Sequence, residues 1–161
     1  MLDELLSRLQ SLPPKQLAQV VKETLAATQG MKWIPSPGPQ TLAYHSLADI
    51  LLFGGEPGGC KTALIVGATF NCHERALIMR RQYTDLDSII DYALTVHGSR
   101  DGFNGSPPPR LTHANGVIDF GAAAKVGDEQ HWMGRPHDLL GIDEATQFTA
   151  KQIRFLRGWL R

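Results

Sequence analysis

The stretch "ADILLFGGEPGGCKTALIVGATF", residues 48–70, constrains this chain more than any other. A short apolar run ends in glycines, polar and glycine positions follow, and a second apolar run begins at a lysine. That order reads as a strand buried on both faces, a glycine loop and a buried helix. Read back from Lys61-Thr62, the pattern G-x-x-x-x-G-K-[ST] finds its first glycine at Gly55, while Cys60 stands where the second belongs. Such a loop binds phosphate because successive backbone N–H groups turn inward at a helix N-terminus, and glycines allow the conformations and the close approach. Gly54, Gly55, Gly58 and Gly59 supply that freedom, with Glu56 and Pro57 between them. Cys60 adds a side chain but removes no N–H donor, so the expectation is weakened or slightly displaced phosphate binding. Lys61 would reach the β- and γ-phosphates, and the Thr62 hydroxyl would bind Mg²⁺. The same glycines can also serve as a plain structural turn.

Context bears on that choice. Asp143 comes 82 residues after Lys61, at the end of the apolar run in "DLLGIDEATQF", and Glu144 follows it. In a site of this kind the Asp orients Mg²⁺ and the neighbouring Glu activates the water that attacks the γ-phosphoryl group. Two carboxylates at a strand end can instead cap the next helix. Their occurrence together with Lys61 and Thr62 favours an ATPase.

The rest of the chain supplies a scaffold. Leu2, Leu5, Leu6, Leu9 and Leu12, then Leu17, Val20, Val21 and Leu25 after Pro13-Pro14, predict a helical hairpin over residues 1–30. "GMKWIPSPGPQ" reads as an extended surface connection. "RALIMRRQY" predicts a strand, and Leu86, Ile89, Ile90, Ala93 and Leu94 form the stripe of a crossover helix. "HGSRDGFNGSPPPR" reads as a loop, and "RLTHANGVIDFG" as a hairpin turning at Asn115-Gly116 with the positive φ of a type I′ turn. "TAKQIRFLRGWLR" predicts a last helix, with Ile153, Phe155, Leu156, Trp159 and Leu160 in register and Thr149 as cap. Alternating strands and helices predict an α/β fold, a P-loop NTPase-like, mainly parallel sheet flanked by helices over residues 31–161, with ligands at the carboxyl ends of the strands.

Composition excludes several classes. With 42% apolar and 20% charged residues the chain reads as globular, and 16 basic residues balance 16 acidic ones, so no global charge announces a polyanion partner. Two cysteines, Cys60 and Cys72, fit a reducing compartment, and the acidic amphipathic start is unlike a signal peptide, so a cytoplasmic protein is expected. The six histidines lack ligand spacing. Trp33, Trp132 and Trp159 read as packing anchors, Arg135 and His137 as structural or surface residues. Arg80 and Arg81 end a strand, where either a solvated end or a guanidinium near the site is expected.

Three blocks in order, "PGPQTLAYHSLADILLFGGEPGGCKTALIVG", "RALIMRRQYTDL" and "GIDEATQFTAKQIRFLRGWLR", resemble the ATPase region of the large terminase subunits of tailed bacteriophages. The resemblance runs from about Trp33 to the end. It implies an ATP-driven motor moving double-stranded DNA into a capsid inside the bacterial host, working as a homo-oligomer with a portal protein and a small terminase subunit. By the same resemblance Gln40 matches the glutamine that reads adenine, Lys61 and Thr62 the phosphate and Mg²⁺ residues, and Asp143 and Glu144 the metal-orienting and water-activating pair. Family members often carry an arginine inside the loop, where this chain has Glu56 and Pro57. Only 17 residues follow Glu144, so the expectation is a fold truncated before the end of the ATPase domain, without the nuclease domain. Two alternatives stay open: a degenerate, non-hydrolysing interaction module of the same architecture, and a helicase-like nucleic-acid ATPase, which "DEATQFT" disfavours.

Overall fold

The computed structural model describes residues 2–55 and 60–161, which fall into two units divided after Met31. In the first, α1 (Leu2–Gln10) and α2 (Pro14–Thr28) are joined by a tight turn in which the Ser11 N–H donates to the carbonyls of Ser7 and Arg8. Pro14 opens α2 at the position where a missing N–H leaves no helical bond unmade. Leu17, Val20, Val21 and Leu25 are exposed.

The second unit, from Lys32, is built on a five-stranded sheet. β1 (Arg75–Arg80) lies between β4 (Gly116–Ala122) and β5 (Leu139–Ile142) and is parallel to both. β3 (Arg110–His113) is antiparallel to β4, and β2 (Phe103–Asn104) antiparallel to β3, giving the order β2-β3-β4-β1-β5. The period-two alternation of β1 divides the core. Ile78 faces a cluster with Val66 and Phe70 of α4 (Lys61–Cys72) and with Ile89, Ile90, Ala93 and Leu94 of α5 (Asp87–His97). Leu77 and Met79 face the other side, against Trp132 and against Leu156 of α6 (Ala150–Arg157). Helices thus cover both faces, as a sheet of buried parallel strands requires. A sixth helix, α3 (Pro39–Tyr44), lies in the connection that precedes α4.

Several sequence expectations are corrected. The sheet is mixed, two parallel pairings and two antiparallel ones, rather than mainly parallel. The apolar run before the glycine loop is no buried strand: Ile50, Leu51 and Leu52 are exposed, and residues 51–55 have no ladder partner. Apolar character makes a run compatible with a strand, but a strand also needs an edge to pair with. Both edges of β1 and of β4 are taken, and the run does not pair with the outer edge of β5.

The hairpin turns at Ala114-Asn115, since His113 pairs with Gly116, and neither Asn115 nor Gly116 has a positive φ. Gly116 is needed for close approach instead, because a Cβ there would collide with the backbone of Glu74. β2 lies within the stretch read as loop. The Thr149 cap is present as a capping box with Gln152, but α6 stops at Arg157, so Trp159 and Leu160 lie beyond it. Leu160 instead forms a parallel bridge with His137.

Candidate functional site

The register of β1 and β5 decides what meets at their carboxyl ends. Met79 pairs with Ile142, and the ladder runs one step further, because the Asp143 N–H donates to the Met79 carbonyl at 3.0 Å. Arg80 and Asp143 therefore stand side by side and, by alternation, on the face opposite Met79, which is the face covered by α4. Gly141, two residues before Asp143, brings α4 close: a Cβ there would collide with Ile65. Ile65 sits one turn along α4 from Thr62, so tight packing at Gly141 carries the first turn of α4 onto the end of β5.

The result is a polar cluster on one buried carboxylate. The Thr62 hydroxyl donates to Asp143 Oδ2 at 2.9 Å, and Arg80 donates to the same oxygen from Nε at 3.0 Å and Nη2 at 2.7 Å. Asp143 Oδ1 accepts the Glu144 N–H at 3.2 Å. The Asp143 side chain is only 4% exposed and that of Arg80 20%, so the pair lies largely out of water, where charge-assisted hydrogen bonds are strongest.

Glu144 is exposed and sits in left-handed backbone at φ 55°, where the chain leaves β5 for the turn into residues 145–147. Left-handed φ in a non-glycine residue persists only where its surroundings impose it, and such residues concentrate at functional sites.

At the other side of the cluster, Cys60 precedes α4 in the same conformation, at φ 52°. Its carbonyl accepts the Leu64 N–H of the first helical turn and the Gln40 Nε2 at 3.0 Å. Gln40 Oε1 accepts the Ser36 N–H at 2.6 Å, so this buried amide ties the proline-rich connection to the start of α4. The Lys61 ammonium donates to the Gly55 carbonyl at 3.0 Å. Glu56, Pro57, Gly58 and Gly59, expected to form the phosphate cradle, lie outside the described residues.

Thr62, Asp143 and Arg80 are thus brought into direct contact, with Lys61, Cys60 and Gln40 at the adjoining helix start. Thr62 and Asp143 offer hard oxygen donors, the type Mg²⁺ takes, and the guanidinium on Asp143 Oδ2 shows that a cation suits this position. Among the described residues no group of three or more His, Cys, Asp or Glu side chains gathers.

Sequence reasoning left Arg80 and Arg81 undivided. Arg80 bonds Asp143, whereas Arg81 Nη1 donates to Gln152 Oε1 at 3.0 Å. Gln152 is fully buried and satisfied, because its Nε2 donates to the Ala123 and Lys125 carbonyls and its Oε1 also accepts from Thr149. The spacing Thr149-x-x-Gln152 is the signal that could have found it.

Arg135 and His137 lie elsewhere, in a cleft of about 150 Å³ at the amino ends of the parallel strands, with Arg75, Arg110 and Trp132. His137 Nδ1 bonds the Arg135 carbonyl and burial pushes its imidazole below the usual value.

A hydroxyl, a carboxylate and a guanidinium thus converge where a helix begins and a parallel strand ends, the end of an open α/β sheet at which ligands are generally found. Comparison with known proteins gives no match: no family model, no curated protein and no solved structure aligns with the chain. Among the described residues no helix is long and apolar enough to cross a membrane.

Proposed function

We propose that the second unit binds ATP with Mg²⁺ and hydrolyses it, as the ATPase module of a DNA-packaging motor of the terminase large-subunit kind. The single observation that carries the nucleotide reading is the 2.9 Å hydrogen bond from Thr62 to Asp143. Two residues 81 apart meet, and their hydroxyl and carboxylate are the pair this reading assigns to a metal-bound triphosphate. The step from nucleotide binding to packaging rests on the three-block sequence resemblance.

In this reading Lys61 gives up the Gly55 carbonyl for phosphate oxygens, its ammonium neutralising charge that develops on them. Thr62 Oγ1 and Asp143 would hold Mg²⁺, which supplies Lewis-acid polarisation of the phosphoryl oxygens. Glu144, exposed and next to Asp143, takes the proton from the attacking water onto its carboxylate. Gln40 fixes the height of Cys60 by its bond to that carbonyl, and only the rearrangement of this amide would let it read adenine.

The test is calorimetric titration of Mg²⁺-ATP into the wild type and a Lys61→Ala variant. The reading expects binding by the wild type and a loss on the order of a hundredfold in the variant, equivalent to about 2.7 kcal/mol. Equal affinity in the two proteins would overturn the loop assignment. Binding without turnover by the wild type, restored to turnover in Cys60→Gly, would mark a weakened enzyme. Inactivity in both would favour the non-hydrolysing module.

A further inference from the structure

The arrangement of donors around Asp143 raises a question that nucleotide binding alone does not answer. One carboxylate oxygen, Oδ2, accepts all three side-chain hydrogen bonds, from Thr62 Oγ1 and from Arg80 Nε and Nη2. Among the described residues Oδ1 receives only the longer N–H bond from Glu144, at 3.2 Å. The guanidinium does not fork across both oxygens, as the planar match of Arg and carboxylate would favour. It docks edge-on to the oxygen that Thr62 also addresses. A divalent cation held between Thr62 Oγ1 and Asp143 Oδ2 would need that oxygen's lone pairs, and Arg80 already fills them.

From this we infer that Arg80 is a resident counter-cation, exchanged for the divalent metal when the site loads. The inference rests on the reading above that Thr62 and Asp143 face the metal, and it assigns regulation to that same site. Without metal, the guanidinium pairs with and orients a carboxylate that is only 4% exposed. When the metal arrives, Arg80 loses its partner. It stands as the last residue of β1, beside the site, where a metal-bound phosphate would be a new anion for it to meet.

The test of Arg80 in this scheme does not depend on turnover. Mn²⁺ alone, followed by the electron paramagnetic resonance signal of the free ion, is titrated into four proteins: wild type, Arg80→Gln, Asp143→Asn and the Arg80→Gln/Asp143→Asn double variant. The expected result is Mn²⁺ binding on the order of tenfold tighter in Arg80→Gln, a gain abolished in the double variant. Unchanged or weaker binding in Arg80→Gln, with binding still lost in Asp143→Asn, overturns the exchange while leaving the metal site in place. Binding that ignores Asp143→Asn overturns the site itself, and the inference with it.

If Arg80→Gln does not fold, the wild type decides. In ¹⁵N-labelled protein the Arg80 Nε–H resonance is expected to shift in step with Mg²⁺ saturation. A resonance that stays in place while the metal binds overturns the exchange.

Discussion

Cys60 and Glu144 carry positive φ, 52° and 55°, at the two ends of the candidate site. For an L-residue the left-handed region costs about 1–2 kcal/mol. In the sequence only Cys60 is visible, as a departure from a glycine pattern, whereas nothing local to Glu144 announces that the chain turns sharply after Asp143. Cys60→Gly removes the strain at the loop, partly offset by the roughly 0.5–1 kcal/mol that glycine adds in unfolded-chain entropy. Its urea midpoint should therefore match or slightly exceed that of the wild type. Cys60→Val, with a β-branched side chain in the same conformation, should lose about 1 kcal/mol or more. Equal stability of the two variants would mean that residue 60 does not hold a left-handed backbone in solution. Arg80 also belongs to this scale. Its residue type was legible as useful, but its partner was fixed by a strand register that the residue itself does not encode.

Among the elements, the contact of α4 with β5 matters most, because it alone carries Thr62 to Asp143. Gly141 makes that contact possible by leaving room for Ile65. Gly141→Ala places a methyl against a β-branched side chain that has little rotamer freedom, so α4 must lift. The expected cost is about 1–3 kcal/mol in urea unfolding, together with weaker Mn²⁺ binding. A variant as stable as the wild type, with unchanged metal affinity, would contradict the packing argument.

Helix starts and stripes were legible here, because periodicity and caps are local: α5 carries its predicted stripe and α6 its predicted Thr149 cap. Pairing was less so. The run around Ile50–Leu52 had the composition of a buried strand and lies exposed, since composition does not say which edge is open to it. The hairpin was found, but its turn slipped by one residue: Gly116 was read for its φ, whereas its missing Cβ makes room for Glu74.

For the whole molecule, the two-sided core predicts a pH response through histidines that burial has starved of charge. His113, its ring 4.8 Å from that of Phe70, and His137 both have imidazole pKa values lowered chiefly by desolvation. His97 and Lys32 push His113 further down, whereas the Arg135 carbonyl and Asp119 and Asp138 oppose the shift at His137. In the unfolded chain both titrate near the ordinary value of about 6.5. Below that pH the unfolded state takes up protons that the folded state refuses. The contribution to stability is therefore full above about pH 6.5 and declines as the pH falls toward the lowered folded values. The urea midpoint should drop between about pH 7.5 and about pH 5.5, and drop less in a His113→Gln/His137→Gln variant. A midpoint flat over that range would contradict the burial of these rings.

The α/β class was readable from alternating apolar runs, whereas the antiparallel half of the sheet, β2 to β4, was visible only as one hairpin. The central claim concerns a single place, the gap between the first turn of α4 and the end of β5. Anomalous diffraction from a crystal grown with Mn²⁺ and a non-hydrolysable ATP analogue tests it most directly. The expected result is an anomalous peak between Thr62 Oγ1 and the Asp143 carboxylate, with phosphate density beside Lys61 and the Arg80 guanidinium moved off Asp143 Oδ2. A manganese peak away from Asp143, or nucleotide bound on another face of the sheet, would contradict it.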